Sequence, residues 1–422
     1  MKFKSWKLFV LGFGFFGVSI IWPLYNAYVP IFLKDFNLSS FWVGTVMTFD
    51  NIFAILMLPV IGAMSDQTRT RFGRRKPYIM VGAPLAALFF ILIPIVKDLA
   101  ILPLLMLVII FMNFFMAVFR SPVVALMPDV TPSKFRSQAN GVINFMGGLG
   151  ALLAFFAGKP LYDANQNYPF LAGALIMIAA VMVLLTFIKE DEKYTIKETR
   201  IENKSGFFKN GLVELMGNLK DAFTNKEKSL LFMLLSILFW FIGFNAIETF
   251  FTTYAKFHAG IPESTGALIM GVFSLVFMVF AIPAGFIGAK VGRKKTIFFG
   301  IFIMGIIILL TYILGNSPIL ETPDRFRNIL FILFAFGGMG WSLINVNSLP
   351  MVVDMTTNEK SGGYTGLYYF FSMAANIFAP PLAGLFMDIT NYNILMVFSL
   401  LFFILASVTL IFVKRGEKQE QE

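Results

Sequence analysis

The chain has 422 residues, 58% hydrophobic and only 14% charged, with 52 phenylalanines; this excludes an ordinary water-soluble domain and makes a lipid bilayer the natural solvent. It contains no cysteine, so disulfides, thiol nucleophiles and cysteine-bound metals are excluded, and its one histidine, His258, excludes a histidine cluster. A net charge of +10 would suit nucleic acid, but the placement of the basic residues argues for a membrane topology signal instead.

About 20 helical residues cross a hydrocarbon core. In chain order the apolar runs predict helices over 8–33, 41–64, 78–96, 99–127, 138–158 and 170–188, then 229–256, 264–289, 296–314, 327–353, 362–387 and 393–413. The fold class is therefore all-α integral membrane, with twelve transmembrane helices, six per half. The first run, about 26 residues, exceeds a signal-peptide core and is followed by no small-residue cleavage pattern, so it is expected to be retained as helix 1. Residues 189–228 carry nine basic and eight acidic residues and read as a linker. Within it Phe208, Leu212, Leu215, Met216, Leu219 and Phe223 recur at the spacing of a surface-lying amphipathic helix. The expected organisation is a first bundle over 1–188, a linker over 189–228, a second bundle over 229–414 and a tail over 415–422.

With the N-terminus placed in the cytoplasm, 27 Lys and Arg fall on the inner connections and tails and six on the outer ones, leaving Arg120 inside helix 4. Both termini are therefore expected to be cytoplasmic in an inner or plasma membrane. The halves also repeat. Asp129 with Gly141 twelve residues later recurs as Asp354 with Gly366, and Pro59, Asp66 and Gly73-Arg74-Arg75-Lys76 recur as Pro283, Lys290 and Gly292-Arg293-Lys294-Lys295. Six helices return the chain to its starting side, so the duplication is parallel, about an axis along the membrane normal.

Gly62-x-x-x-Asp66 followed by Gly73-Arg74-Arg75-Lys76 resembles the loop signature of the major facilitator superfamily, and the echo after helix 8 extends the likeness over the whole chain. In its longer form, Ser65 to Pro77, the loop looks like that of plant sucrose transporters and their animal and bacterial relatives; Arg136-Ser137-Gln138-Ala139-Asn140 is similar to the segment after helix 4 in that group. Ser121-Pro122 through Leu126-Met127-Pro128 is more distantly similar to helix 4 of melibiose-type cation symporters. The resemblance implies the major facilitator fold, two six-helix bundles giving alternating access to a central site, and secondary active transport. The sucrose transporters carry an arginine where this chain has Val124; its own arginine, Arg120, lies one turn deeper. Melibiose-type permeases place a cation-binding carboxylate at the position of Arg120, which argues against carrying over their sodium site.

Ionisable residues inside a bilayer cost at least about 2.5 kcal/mol each on insertion scales, and they mark ion or substrate paths. Asp50 lies about 14 Å from the outer end of helix 2, and Glu248 and Arg120 lie about 11 to 12 Å from their nearest helix ends. Asp50 is the first candidate for proton coupling, with Glu248 as an alternative. Arg120 neutralises Asp50 in one state, holds an anionic substrate, or forms a fixed ion pair. Asp66, Arg74, Arg75, Asp129, Arg136 and Asp354, at helix ends of one side, are candidate gate residues; by resemblance alone Asp129 would also be a proton site.

Sugar recognition needs polar groups for hydroxyls and flat aromatic faces for C–H edges. Trp22, Tyr25, Asn26 and Tyr28 of helix 1, Asn144 of helix 5, Trp240 and Asn245 of helix 7, Trp341, Asn345 and Asn347 of helix 10, and Asn376 of helix 11 are the candidate lining; the alternative role for each is interhelical adhesion or interface anchoring. No metal-ligand cluster, nucleophile triad or phosphate-binding loop is present, so neither a cofactor nor an enzymatic role is expected. The reading is proton-coupled symport of a glycoside or disaccharide, with the proton favoured over sodium and a single copy expected to suffice. Export of an amphipathic or anionic compound, and sugar sensing without translocation, are the alternatives.

Overall fold

Long apolar runs in a bilayer must satisfy every backbone N–H and C=O internally, and helices do this within one segment. The computed structural model describes residues 6–131, 136–190, 227–355 and 361–416. Its helices are α1 (Trp6–Asp35), α2 (Ser40–Met47), α3 (Phe49–Gln67), α4 (Lys76–Asp98), α5 (Leu102–Val130), α6 (Arg136–Ala164), α7 (Tyr168–Phe187), α8 (Ser229–Phe257), α9 (Glu263–Val291), α10 (Arg293–Gly315), α11 (Pro323–Val353), α12 (Ser361–Ile389) and α13 (Ile394–Ile411). Taking α2 and α3 as one span, 12 are long and apolar enough to cross a membrane. The amphipathic stretch around Phe208 to Phe223 lies outside the described residues.

Most ends extend the sequence expectation by a turn or less. Two differences have clear causes. Helix α6 runs on to Ala164 rather than stopping at 158, its polar last turn carrying the ion pair of Lys159 with Asp163 at i,i+4. The expected single helix over 41–64 is broken at Thr48. There the Thr48 amide bonds back to Thr45 at 3.2 Å and its hydroxyl donates to the same carbonyl at 2.7 Å, closing α2 and starting α3 afresh.

The chain divides into two compact units, residues 1–37 with 49–203, and residues 38–48 with 204–422. In the first, α1 packs on α6 and α7, α5 on α3 and α4, and α4 on α7. The second repeats the scheme: α8 packs on α12 and α13, α11 on α9 and α10, and α10 on α13. Segment α2 belongs to the second unit through α12. A Cβ on Gly44 would stand 2.3 Å from the Pro380 carbonyl oxygen and one on Gly384 2.2 Å from that of Ser40, so only glycine allows this approach. Asp388 completes the seam by accepting hydrogen bonds from the amides of Ser40 (2.6 Å) and Phe41 (2.8 Å) at the N-terminus of α2.

Candidate functional site

The break at Thr48 places Asp50 in the first turn of α3, within the apolar span, where helix amides lack intrahelical partners. Its carboxylate oxygen Oδ1 accepts from the Asn51 backbone amide and from Asn51 Nδ2, both at 2.7 Å. Arg120 of α5 interacts with it electrostatically, yet no salt bridge joins Asp50 to any cation among the described residues. Ser121, beside Arg120, donates to the Leu58 carbonyl at 2.9 Å and fixes α5 against α3.

On α1, Tyr25 is fully buried and its hydroxyl accepts from Asn113 Nδ2 of α5 at 3.2 Å. Asn113 also donates to the Ile109 carbonyl at 3.0 Å, while its Oδ1 is buried without a partner among the described residues. The same holds for Nε1 of Trp22, whose ring meets Tyr25 edge-on at 5.9 Å. Buried polar atoms are normally satisfied, and neither this donor nor this acceptor finds a partner among the described residues. Asn26 is half-buried, Asn144 is exposed, and Tyr28 stacks on Tyr162 at 4.1 Å within the packing of α1 on α6.

In the second unit Asn245 Nδ2 of α8 donates to Asn376 Oδ1 of α12 at 2.5 Å and to the Phe241 carbonyl at 2.7 Å. Nearby, Trp341 stacks on Phe244 at 3.9 Å and meets Phe241 edge-on at 5.4 Å. Tyr368, which also meets Phe241, shares a 3.0 Å hydroxyl bond with Ser348. Asn345 is half-buried with no side-chain hydrogen bond among the described residues. Two further candidate lining residues are deeply packed. Asn347 is 3% exposed and its amide joins α11 to the Ala284 carbonyl of α9 at 3.1 Å, and Trp240 is fully enclosed. Glu248 is half-buried on α8.

Four of the gate candidates meet at one end of the first unit. Arg74 grips Asp129 with two nitrogens, at 2.5 and 3.1 Å. Arg75 places Nε on Asp129 at 2.9 Å, Nη2 on Asp66 at 2.5 Å and Nη1 on the Gly62 carbonyl at 3.2 Å, with a further bond to Ser65 Oγ. A planar guanidinium with five donors can serve such a set; an ammonium cannot. Glu190, which the sequence reading passed over, accepts from the amides of Arg74 (2.8 Å), Arg75 and Lys76 (both 2.9 Å), sealing the N-terminus of α4. Gly73 has φ 108°, and a Cβ there would lie 2.5 Å from the Glu190 carboxylate carbon, so glycine is required twice over. In the second unit Arg293 pairs with Asp354 and donates to the Pro350 carbonyl at 3.1 Å. The side chain of Arg136 lies outside the described residues.

The sequence profile of the Major Facilitator Superfamily matches residues 8–271 and 255–422, effectively the whole chain. The chain belongs to the Major Facilitator Superfamily. This facilitator is 24% identical to the arabinose-proton symporter of Bacillus subtilis over 82% of its own length and 78% of that protein's. It is 23% identical to the class H tetracycline resistance protein of Pasteurella multocida over 77% of its length and 74% of that protein's. Among solved structures a mutant of the nucleoside transporter NupG superposes with a TM-score of 0.72 at 16% identity, covering 96% of this chain and 100% of that one. The facilitator is thus a multi-pass membrane transporter by family, with sugar symporters and drug exporters both among its relatives.

Proposed function

We propose that this facilitator takes up a glycoside or disaccharide together with a proton, by alternating access. The observation carrying the proposal is Asp50: an intramembrane carboxylate in the first turn after a helix break, bonded to Asn51 and salt-bridged to no cation among the described residues, with Arg120 in electrostatic range. A carboxylate so placed takes up and releases a proton as Arg120 approaches or withdraws. The half-buried Asn26 supplies a polar contact for sugar hydroxyls, and the half-buried Trp22 supplies a flat face. The arabinose-proton relative is consistent with this chemistry.

A second reading is export of an anionic or amphipathic compound held by Arg120, whose guanidinium has no salt bridge among the described residues. The two separate in proteoliposomes tested with labelled mono- and disaccharides under imposed proton or sodium gradients. Proton-driven accumulation of a saccharide is expected, with Asp50→Asn abolishing accumulation while retaining exchange of the same sugar down its gradient. Failure of every saccharide to accumulate under either gradient removes the symport reading. Binding without uptake identifies a sensor.

A further inference from the structure

The second unit carries a groove of about 190 Å³ among α9, α10 and α11. Phe280 and Ile287 of α9 form one wall, Phe299 and Ile303 of α10 the other, and Leu343 of α11 lies at the base. Beneath the groove α11 is drawn tightly to both neighbours. A Cβ on Gly300 would come 2.6 Å from the Gly340 carbonyl oxygen and one on Gly338 2.3 Å from that of Phe273. The one hydroxyl in the lining, Thr296, already donates to the Gly292 carbonyl at 2.7 Å, so the walls offer a ligand almost nothing but hydrocarbon.

The rim toward the Gly292 turn is different. Four basic residues cluster there, and two are occupied: Arg293 by Asp354, and Lys294 by the Ile411 (3.0 Å) and Val413 (2.6 Å) carbonyls. Lys295 lines the groove mouth, and Lys290 lies one helical turn past Ile287 on α9. Both are exposed, with no ion pair or hydrogen bond among the described residues, and no acidic residue occurs between Gly288 and Gly300. An apolar cleft between membrane helices that has Lys295 in its lining and Lys290 one turn beyond Ile287, both without an ion pair among the described residues, suits a phospholipid with a negative headgroup.

We propose that this groove is a binding site for an anionic phospholipid of the leaflet on the Gly292 side, one acyl chain lying between Phe280 and Phe299 and the phosphate meeting Lys295 and Lys290. The site stands apart from Asp50 and from the substrate reading, since it needs only that the chain span a membrane. The test is native mass spectrometry of the full chain purified with equimolar phosphatidylglycerol and phosphatidylcholine. Each lysine should contribute roughly fivefold to selectivity. With two lysines the wild type should therefore retain one phosphatidylglycerol in roughly 25-fold excess, and Lys290→Gln with Lys295→Gln should bring the ratio near unity. Ile303→Trp, which fills the cleft and leaves both lysines, should also displace the lipid. Equal retention of the two lipids by the wild type, or an excess that survives both variants, overturns the site and leaves only ordinary annular lipid.

Discussion

Arg75 is 5% exposed and Asp129 11%, and every donor that Arg75 directs at a partner finds a carboxylate, a hydroxyl or a carbonyl. Lysine in its place would keep the charge and lose the fork, so Arg75→Lys should lower stability in detergent by about 1.5 to 3 kcal/mol, read from thermal unfolding. Glu190 makes a different kind of contact. Its carboxylate meets three consecutive amides at a helix start, where negative charge is favoured by up to about 2 kcal/mol. Glu190→Gln keeps the shape and removes the charge, and should lower the unfolding temperature modestly; Gly73→Ala should lower it further, because both φ and the carboxylate oppose a Cβ. Asp66, Arg74, Arg75 and Asp129 could be singled out from their motif and spacing. Glu190 could not, because in sequence it is one of eight acids at the edge of a charged linker, and only the fold brings it back over α4.

At the scale of elements, the helices were legible because a span of hydrocarbon demands a long apolar run, which is hard to hide. The break at Thr48 was not. No glycine or proline marks it, and Thr45 and Thr48 close α2 by bonding their hydroxyls to the carbonyls of Phe41 and Thr45, a local event that hydropathy does not register. The seam between α2 and α12 was equally silent, since Gly44 lies some 340 residues from Gly384 and Asp388, and none of the three stands out alone. Candidate lining residues such as Asn347 illustrate the reverse problem. A buried asparagine signals that partners exist, but not whether they are a neighbouring helix or a solute. For the seam, Gly44→Ala should destabilise the protein by about 2 kcal/mol, because the obstacle is the Pro380 backbone and no flexible side chain can yield. Asp388→Asn should act in the same direction and less strongly, and thermal unfolding of both variants checks the order.

At the scale of the whole molecule, the duplication preserves helix packing while letting the charge clusters diverge. Asp129 and Asp354 stand 225 residues apart at equivalent helix ends, but their surroundings are unequal. Asp129 serves two arginines, with Asp66 on the far side of both. The position matching Asp66 is Lys290, and Asp354, 34% exposed, pairs among the described residues with Arg293 alone. Removing one partner from a mostly buried ion network leaves uncompensated charge, at a cost of about 3 to 5 kcal/mol, whereas a partly exposed pair contributes about 1 kcal/mol or less. Asp129→Asn should therefore lose several-fold more transport and stability than Asp354→Asn, although the duplicated sequence presents the two as counterparts. Uptake rates and unfolding temperatures of the two variants side by side check this. Equal losses would mean that the cycle depends on both clusters to the same degree, and that the second one draws on partners beyond Arg293.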